Sequence, residues 1–205
     1  MAQFRFNSLI LSVSLITLLV LGLSLLDKTH FDLLTTSPRI MSHHEYWRWL
    51  TSNFVHFGWA HSIVDALGFA LVSIVFFYSI STKRYLGLLL FCCLAVGIFI
   101  SILSPDILYY AGLSGAIHGL LIAGCFYATH FPLWKRLIIL IITIGKILQE
   151  QLPGYDINPV ANIMPVPIAI DAHLIGAIAG LLFFLLDTFF MQPLRRMFFS
   201  NNKAV

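Results

Sequence analysis

Residues 168–190 read IAIDAHLIGAIAGLLFFLLDTFF, and this stretch is apolar and long enough to cross a lipid bilayer as a helix. It nevertheless carries a histidine, His173, close to its start. Placing an ionisable side chain within the hydrocarbon region is costly, so such residues are candidates for functional sites. The stretch therefore predicts a membrane helix whose opening turn contributes to a site.

Similar apolar stretches occur along the whole chain. The 205-residue sequence is 59% hydrophobic and 10% charged, whereas soluble domains carry about 25% charged residues. We expect membrane-spanning helices at residues 8–26, 57–80, 85–104, 113–130, 137–149 and 168–190. Together they predict an all-α membrane protein, a compact six-helix bundle that forms a single domain over residues 1–205. Little chain remains for a soluble domain, and the sequence has no Gly-rich phosphate loop.

The distribution of charge predicts how the chain crosses the membrane. Cytoplasmic loops usually carry an excess of lysine and arginine. With the N-terminus inside, the cytoplasmic side receives Arg5, Lys83, Arg84, Lys135, Arg136, Arg195, Arg196 and Lys203. Both termini are therefore predicted to be cytoplasmic. The net charge of +3 reflects this topology, and the clustered basic surface that nucleic-acid binding needs is absent from the sequence.

Three polar residues from separate spans are expected at one depth. In this topology the second, fourth and sixth spans all run from outside to inside, so their first turns lie in the outer leaflet. His61, Ser114 and His173 lie in or near these turns. A histidine base beside a serine activates the hydroxyl as a nucleophile. The shared depth therefore favours a hydrolytic site formed by Ser114 and His173.

Small residues could bring the fourth and sixth spans together. They recur at four-residue steps as Gly115, Gly119 and Ala123 in one span and as Ala172, Gly176 and Gly180 in the other. Such stripes let membrane helices approach closely, and Ser114 and His173 each adjoin one. Each residue also has an ordinary alternative: Ser114 could cap a helix, and His173 could hydrogen-bond a carbonyl group of a neighbouring helix.

Three short motifs occur in order along the chain. Trp47-Arg48 is followed by Phe54-Val55-His56-Phe57-Gly58-Trp59-Ala60-His61, then by Gly112-Leu113-Ser114-Gly115 and by Ala172-His173-Leu174-Ile175-Gly176. In this order they resemble the signatures of the rhomboid family of intramembrane serine proteases. The string GLSGAIHG at 112–119 and the lack of extra domains most resemble the rhombosortase branch. That branch is associated with bacterial exported proteins that carry a C-terminal GlyGly tail.

The resemblance implies a Ser-His dyad that needs neither a cofactor nor a metal. His173 would take the proton of Ser114, whose oxygen attacks a peptide carbonyl group. The backbone N–H of Ser114 and the side chain of His61 would stabilise the oxyanion, with Gly112 in the nucleophile motif beside them. No acid other than Asp171 is evident near His173.

The resemblance also implies where the protein works and on what. Its partners would be the lipid bilayer and a membrane-anchored substrate with a glycine-rich C-terminal tail. Cleavage would take place at the periplasmic side of the bacterial inner membrane. The sequence does not indicate an oligomeric state.

Two positions near the motifs need separate interpretation. The usual His-x-x-x-Asn pattern is His61-Ser62-Ile63-Val64-Asp65 here, and an ionised Asp65 would repel an oxyanion. Either burial keeps Asp65 neutral as an O–H donor, or Asp65 holds His61 as an imidazolium one turn away; a third reading is an impaired enzyme. His118 follows Ser114 by one turn, where many rhomboids have an aromatic residue that stacks on the catalytic histidine.

Alternatives from other classes remain open at this point. His44-Glu45-Tyr46-Trp47-Arg48 nearly spells the H-E-x-x-H motif of a metalloprotease, but Arg48 replaces the second zinc ligand. A rhomboid-like protein that binds membrane helices without cutting them would explain Asp65 but not the intact Ser114 and His173. A general rhomboid protease for other single-pass substrates and a transporter are the other candidates.

Overall fold

The computed structural model describes residues 2–104, 106–157 and 166–192, and this part of the chain is helical, without strands. Its helices are α1 (Ala2–Leu23), α2 (Lys28–Leu34), α3 (Ile40–His43), α4 (Arg48–Thr51), α5 (Trp59–Phe77), α6 (Thr82–Leu103), α7 (Ser114–Tyr127), α8 (Leu133–Glu150) and α9 (Ile170–Leu186). A π-helical turn, Asp187–Met191, continues α9. The predicted all-α class is confirmed for these residues.

Four helices are long and apolar enough to cross a membrane: α1, α5, α6, and α9 together with its π-helical continuation. The apolar helix α7 is shorter, and α8 carries four charged residues, Lys135, Arg136, Lys146 and Glu150. Each of the six predicted spans thus corresponds to one long helix in the same order. Six membrane crossings, a single domain over 1–205 and cytoplasmic termini stay predictions, and the C-terminus lies outside the described residues.

Capping side chains lie at two of the places where the helix boundaries differ from the predicted spans. The helix α6 begins at Thr82 rather than at 85, because the Ser81 side chain accepts a hydrogen bond from the Arg84 backbone N–H. The predicted first span ran to 26, whereas α1 ends at Leu23 and Asp27 caps α2. The hydrogen bond from the His30 backbone N–H holds the pKa of Asp27 below its usual value.

The difference that matters most for the site concerns α8. It begins directly after Pro132, which can precede a helix because it needs no hydrogen-bonded N–H there. It ends at Glu150, whereas the predicted span covered 137–149. The extra residue at the C-terminal end is the buried Glu150, so α8 brings a carboxylate to the end of the helix bundle where α7 and α9 begin.

The helices α7 and α9 pack along the small-residue stripes, as the sequence predicted. A Cβ atom on Gly176 would overlap the backbone carbonyl of Gly115, and one on Gly180 would overlap that of Gly119. Glycine is therefore required where the two backbones touch, as in other small-residue contacts between membrane helices. This contact holds the first turns of the two helices side by side.

Buried polar groups order the segment between α1 and α5 internally and attach it to α6. The Arg48 guanidinium donates to the backbone carbonyls of Asp32 and Thr35 and pairs with Glu45 at 2.6 Å. The Asn53 amide donates to the backbone carbonyl of Cys93 in α6 at 3.0 Å. Arg48 thus orders this first loop, and the loop carries His56 toward the N-terminal end of α5.

Candidate active site

Ser114 and His173 lie within hydrogen-bond distance of each other. Ser114 is the first residue of α7, and His173 is in the first turn of α9. The Oγ of Ser114 is 3.1 Å from the Nε2 of His173, and the histidine is 5% exposed. At this distance the hydroxyl can donate its proton to an unprotonated imidazole nitrogen, which is how a serine becomes nucleophilic.

Two further side chains hold the imidazole of His173. The His118 ring stacks on it, with ring centroids 4.1 Å apart and an interplanar angle of 23°. The Nδ1 of His118 lies 2.8 Å from the Ser114 carbonyl oxygen, so a hydrogen bond to the backbone can fix its ring. On the other ring nitrogen of His173, the Oε2 of Glu150 lies 2.9 Å from Nδ1. The His118 ring and the Glu150 carboxylate thus together fix the orientation of the His173 imidazole.

Asp65 connects a pair of histidines to the nucleophile motif. Its Oδ2 accepts a hydrogen bond from the Leu113 backbone N–H at 2.8 Å and lies 2.9 Å from the Nε2 of His56. The Nε2 of His61 is 3.5 Å from the same oxygen, and the two imidazole rings pack edge to face. The Oδ2 of Asp65 is therefore surrounded by three nitrogens, those of the His56 ring, the His61 ring and the Leu113 backbone. Leu113 directly precedes Ser114 in the chain.

Gly112 leaves room for the His61 side chain, but its own backbone N–H is not free to bind an oxyanion. Its φ of 137° is one that residues with a side chain rarely adopt, and a Cβ there would lie 2.8 Å from the Cε1 of His61. Its backbone N–H donates to the Ser52 carbonyl oxygen at 2.9 Å. The N–H groups available near the nucleophile are therefore those at the start of α7.

A cavity of about 850 Å³ is lined both by the Ser114–His173 pair and by His61 and Asp65. Its walls include His61, Ser114 and His173, together with the loop residues 106–111 and residues 166–170 before and at the start of α9. Most of the lining is apolar, including Phe57, Ile107, Leu108, Ile117 and Ile168. The volume lies within the usual range of pockets that enclose a ligand, so an extended apolar chain segment can be accommodated beside Ser114.

Comparison with known proteins now identifies the family. Residues 43–188, well over half of the chain, match the family model described as the Rhomboid domain. The chain belongs to the rhomboid family. Rhomboids are intramembrane serine proteases that act on membrane-protein substrates within the bilayer, and the apolar helices agree with a multi-pass membrane protein. No curated protein matches the sequence significantly.

Two groups in this rhomboid were missed by the sequence analysis. The expectation that Asp171 is the only acid near His173 is wrong: Asp171 accepts a hydrogen bond from the Ser104 hydroxyl, and Glu150 is the acid that contacts the imidazole. The spacing of Lys146 and Glu150 by one helical turn was the available signal. His56 was noted only as part of the first motif, although its Nε2 contacts Asp65.

The other polar residues of the spans have structural partners. Asp187 accepts a hydrogen bond from the Tyr127 hydroxyl at 2.9 Å and pairs with Arg84 at 3.1 Å, so it joins α9 to α7 and α6. In the near H-E-x-x-H motif, Glu45 pairs with Arg48 and His44 contacts the Tyr46 hydroxyl. This motif therefore does not form a set of metal ligands.

One cluster of the rhomboid offers suitable atoms for a metal ion. Among the described residues, His56, His61 and Asp65 place one ligand atom each within 4.8 Å of one another. Nitrogen and carboxylate donors of this kind suit zinc. However, the Asp65 oxygen already accepts the Leu113 N–H and contacts His56 directly, so hydrogen bonding accounts for the cluster.

The stack of His118 on His173 leads to a prediction. We expect His118→Phe to cleave substrate at close to the wild-type rate, because a phenyl ring preserves the face-to-face contact. His118→Ala removes the contact and should lower kcat roughly fivefold, the rate equivalent of about 1 kcal/mol for an aromatic pair. Steady-state kinetics on the purified variants measures both values. Complete loss of cleavage in His118→Phe would instead make His118 the base.

Proposed function

We propose that this rhomboid is a serine endopeptidase in which Ser114 is the nucleophile and His173 is the general base. The observation that carries the proposal is the 3.1 Å separation of the Ser114 Oγ and the His173 Nε2 beside the cavity. His173 takes the hydroxyl proton while Oγ attacks a peptide carbonyl group, and the proton then passes to the leaving amine. Water hydrolyses the resulting acyl-enzyme, again with His173 as base.

The negative oxygen of the tetrahedral intermediate needs donors that are already in place. The backbone N–H of Ser114, at the start of α7, is the first candidate, because N–H groups at helix N-termini have no partner within the helix. The imidazole of His61, which lines the cavity, is the second. Loss of one such donor typically lowers kcat by about 10²–10³-fold.

Asp65 is best placed to act through His61 rather than as a donor itself. Its Oδ2 has three nitrogens around it, one of them a backbone N–H that can only donate. An ionised carboxylate suits this environment better than an O–H group does. We infer that Asp65 keeps His61 as an imidazolium, which is a stronger donor to the oxyanion than a neutral ring.

The proposed substrate is a membrane-anchored protein with a glycine-rich C-terminal GlyGly tail. The likeness of residues 112–119 to the rhombosortase branch supports this choice. Glycines weaken a helix by about 1 kcal/mol each relative to alanine, so a GlyGly segment exposes its backbone readily. The apolar cavity wall suits the hydrophobic helix of such a tail. The proposed location is the bacterial inner membrane, with the site open to the periplasm.

Co-expression tests the substrate directly. A reporter with a glycine-rich motif, a hydrophobic helix and a basic end is produced with the wild-type protein or with Ser114→Ala, and the intact mass of the product gives its new C-terminus. We expect a cut within the tail that depends on Ser114. A product mass that includes an added amine would show transfer instead of hydrolysis.

The control reporter carries leucines in place of the two glycines. Cleavage of an unrelated single-pass protein, with the GlyGly reporter left intact, would contradict the substrate assignment and favour a general rhomboid protease. Equal cleavage of both reporters would show that glycine plays no part in recognition.

A further inference from the structure

Glu150 is a buried carboxylate that the two-residue mechanism does not use. Its side chain is 2% exposed, and its two oxygens have different partners. Oε2 lies 2.9 Å from the Nδ1 of His173, while Oε1 accepts a hydrogen bond from the Lys146 ammonium group. The carboxylate thus lies between a cation on its own helix and the imidazole of α9.

The surroundings of Glu150 favour its ionised form. A carboxylate buried without partners is strongly destabilising, whereas one with a cation and a hydrogen-bond donor is tolerated. Lys146 lies one helical turn before Glu150, and its side chain is 49% exposed, so only the carboxylate of this pair is fully buried. The buried negative charge is therefore balanced locally.

An ionised Glu150 determines which nitrogen of His173 carries the hydrogen. A carboxylate only accepts hydrogen bonds, so the Nδ1 of His173 must be the N–H donor. The Nε2 of the neutral ring is then unprotonated and faces the Ser114 hydroxyl at 3.1 Å. This tautomer is the one that a general base needs, and the other tautomer would present an N–H to Oγ instead.

We propose that Glu150 is a positioning residue that holds His173 in its basic tautomer and stabilises the imidazolium. Three helices then supply a Ser114–His173–Glu150 triad. The inference rests on the proposed function, since it needs His173 to be the base. When the Ser114 O–H bond breaks and an Nε2–H bond forms, the ring becomes positive opposite the Glu150 carboxylate. Glu150 keeps its charge throughout, as the acid of a soluble serine protease does, and the leaving amine receives the proton from Nε2.

Variants of Glu150 test this positioning role. Glu150→Gln preserves the shape but removes the charge, and its amide can donate to Nδ1 and so favour the wrong tautomer. We expect kcat to fall at least about 10-fold, and by up to the roughly 10⁴-fold that replacing the acid of a Ser-His-Asp triad with its amide costs, with KM unchanged. Glu150→Ala should lose as much and recover part of its rate with added formate. The matched control is Gln149→Ala, an exposed neighbour on α8, which should behave as wild type.

Labelling of Ser114 by a fluorophosphonate gives a second measurement that needs no substrate. We expect Glu150→Gln to be labelled more slowly by the same factor, with the folded fraction checked by thermal unfolding. Labelling at the wild-type rate would overturn the inference, as would a loss of activity that equals the loss of folded protein and shows no formate rescue. Wild-type labelling no greater than that of Ser114→Ala would overturn the proposed function itself.

Discussion

Replacing Ser114 with alanine is expected to abolish peptide-bond cleavage, and His173→Ala to lower kcat by roughly 10⁴-fold or more. Ser114→Ala removes the attacking oxygen, and His173→Ala leaves the hydroxyl without a group to take its proton. Because the two residues act as one unit, the double variant should be no slower than the worse single variant. Single-turnover kinetics with a GlyGly reporter in lipid measures the three rates.

The control for this prediction is Ser12→Ala in α1, where the hydroxyl donates to the Ser8 backbone carbonyl. Its rate and its fluorophosphonate labelling should match the wild type. Cleavage that survives Ser114→Ala would mean that another group is the nucleophile. If a chelator then stopped that cleavage, a metal-dependent protease would replace the present assignment.

The second large effect is expected at Asp65. Asp65→Leu removes the acceptor for the Leu113 N–H and leaves His56 and His61 without their shared partner. We expect kcat to fall by about 10²–10³-fold, as it does when an oxyanion donor is lost. The exposed Asp32 offers the control variant Asp32→Asn, which should cleave at the wild-type rate. Unchanged cleavage in Asp65→Leu would show that this cluster has no part in the reaction.

Asp65→Asn distinguishes between the two active roles considered for Asp65. One is a neutral carboxyl that donates directly, and the other is a carboxylate that holds His61 as an imidazolium. An asparagine can accept the Leu113 N–H and can also donate from its amide, but it cannot hold His61 as a cation. If Asp65 acts through a charged His61, kcat should fall roughly tenfold or more, since a charge-assisted hydrogen bond is about twice as strong as a neutral one. Full activity in Asp65→Asn would favour the neutral carboxyl as a direct donor.

The parts of the fold that follow from local pattern could be predicted from the sequence. Long apolar stretches located the six long helices in order, and the four-residue spacing of Gly115 and Gly119 against Gly176 and Gly180 predicted which two helices touch. The proximity of Ser114 to His173 followed from that contact. Each of these features depends on residues within one turn or one helix face.

The parts of the site that depend on helix ends and long loops could not be predicted. Hydropathy does not locate the end of α8, because Lys146 and Glu150 interrupt its apolar pattern near the C-terminal end. Only the three-dimensional packing brings that end to the first turn of α9. The same holds for His56, which precedes α5 in the chain yet reaches Asp65 within that helix.

The contact between α7 and α9 restricts how a substrate can reach the serine. Their backbones touch at Gly115 and Gly176, so the two helices cannot separate without pulling the nucleophile away from its base. A polypeptide can therefore reach Ser114 only along the other walls of the cavity, formed by α5, residues 106–111 and residues 166–170. The nucleophile and its base can then stay in contact while the substrate enters.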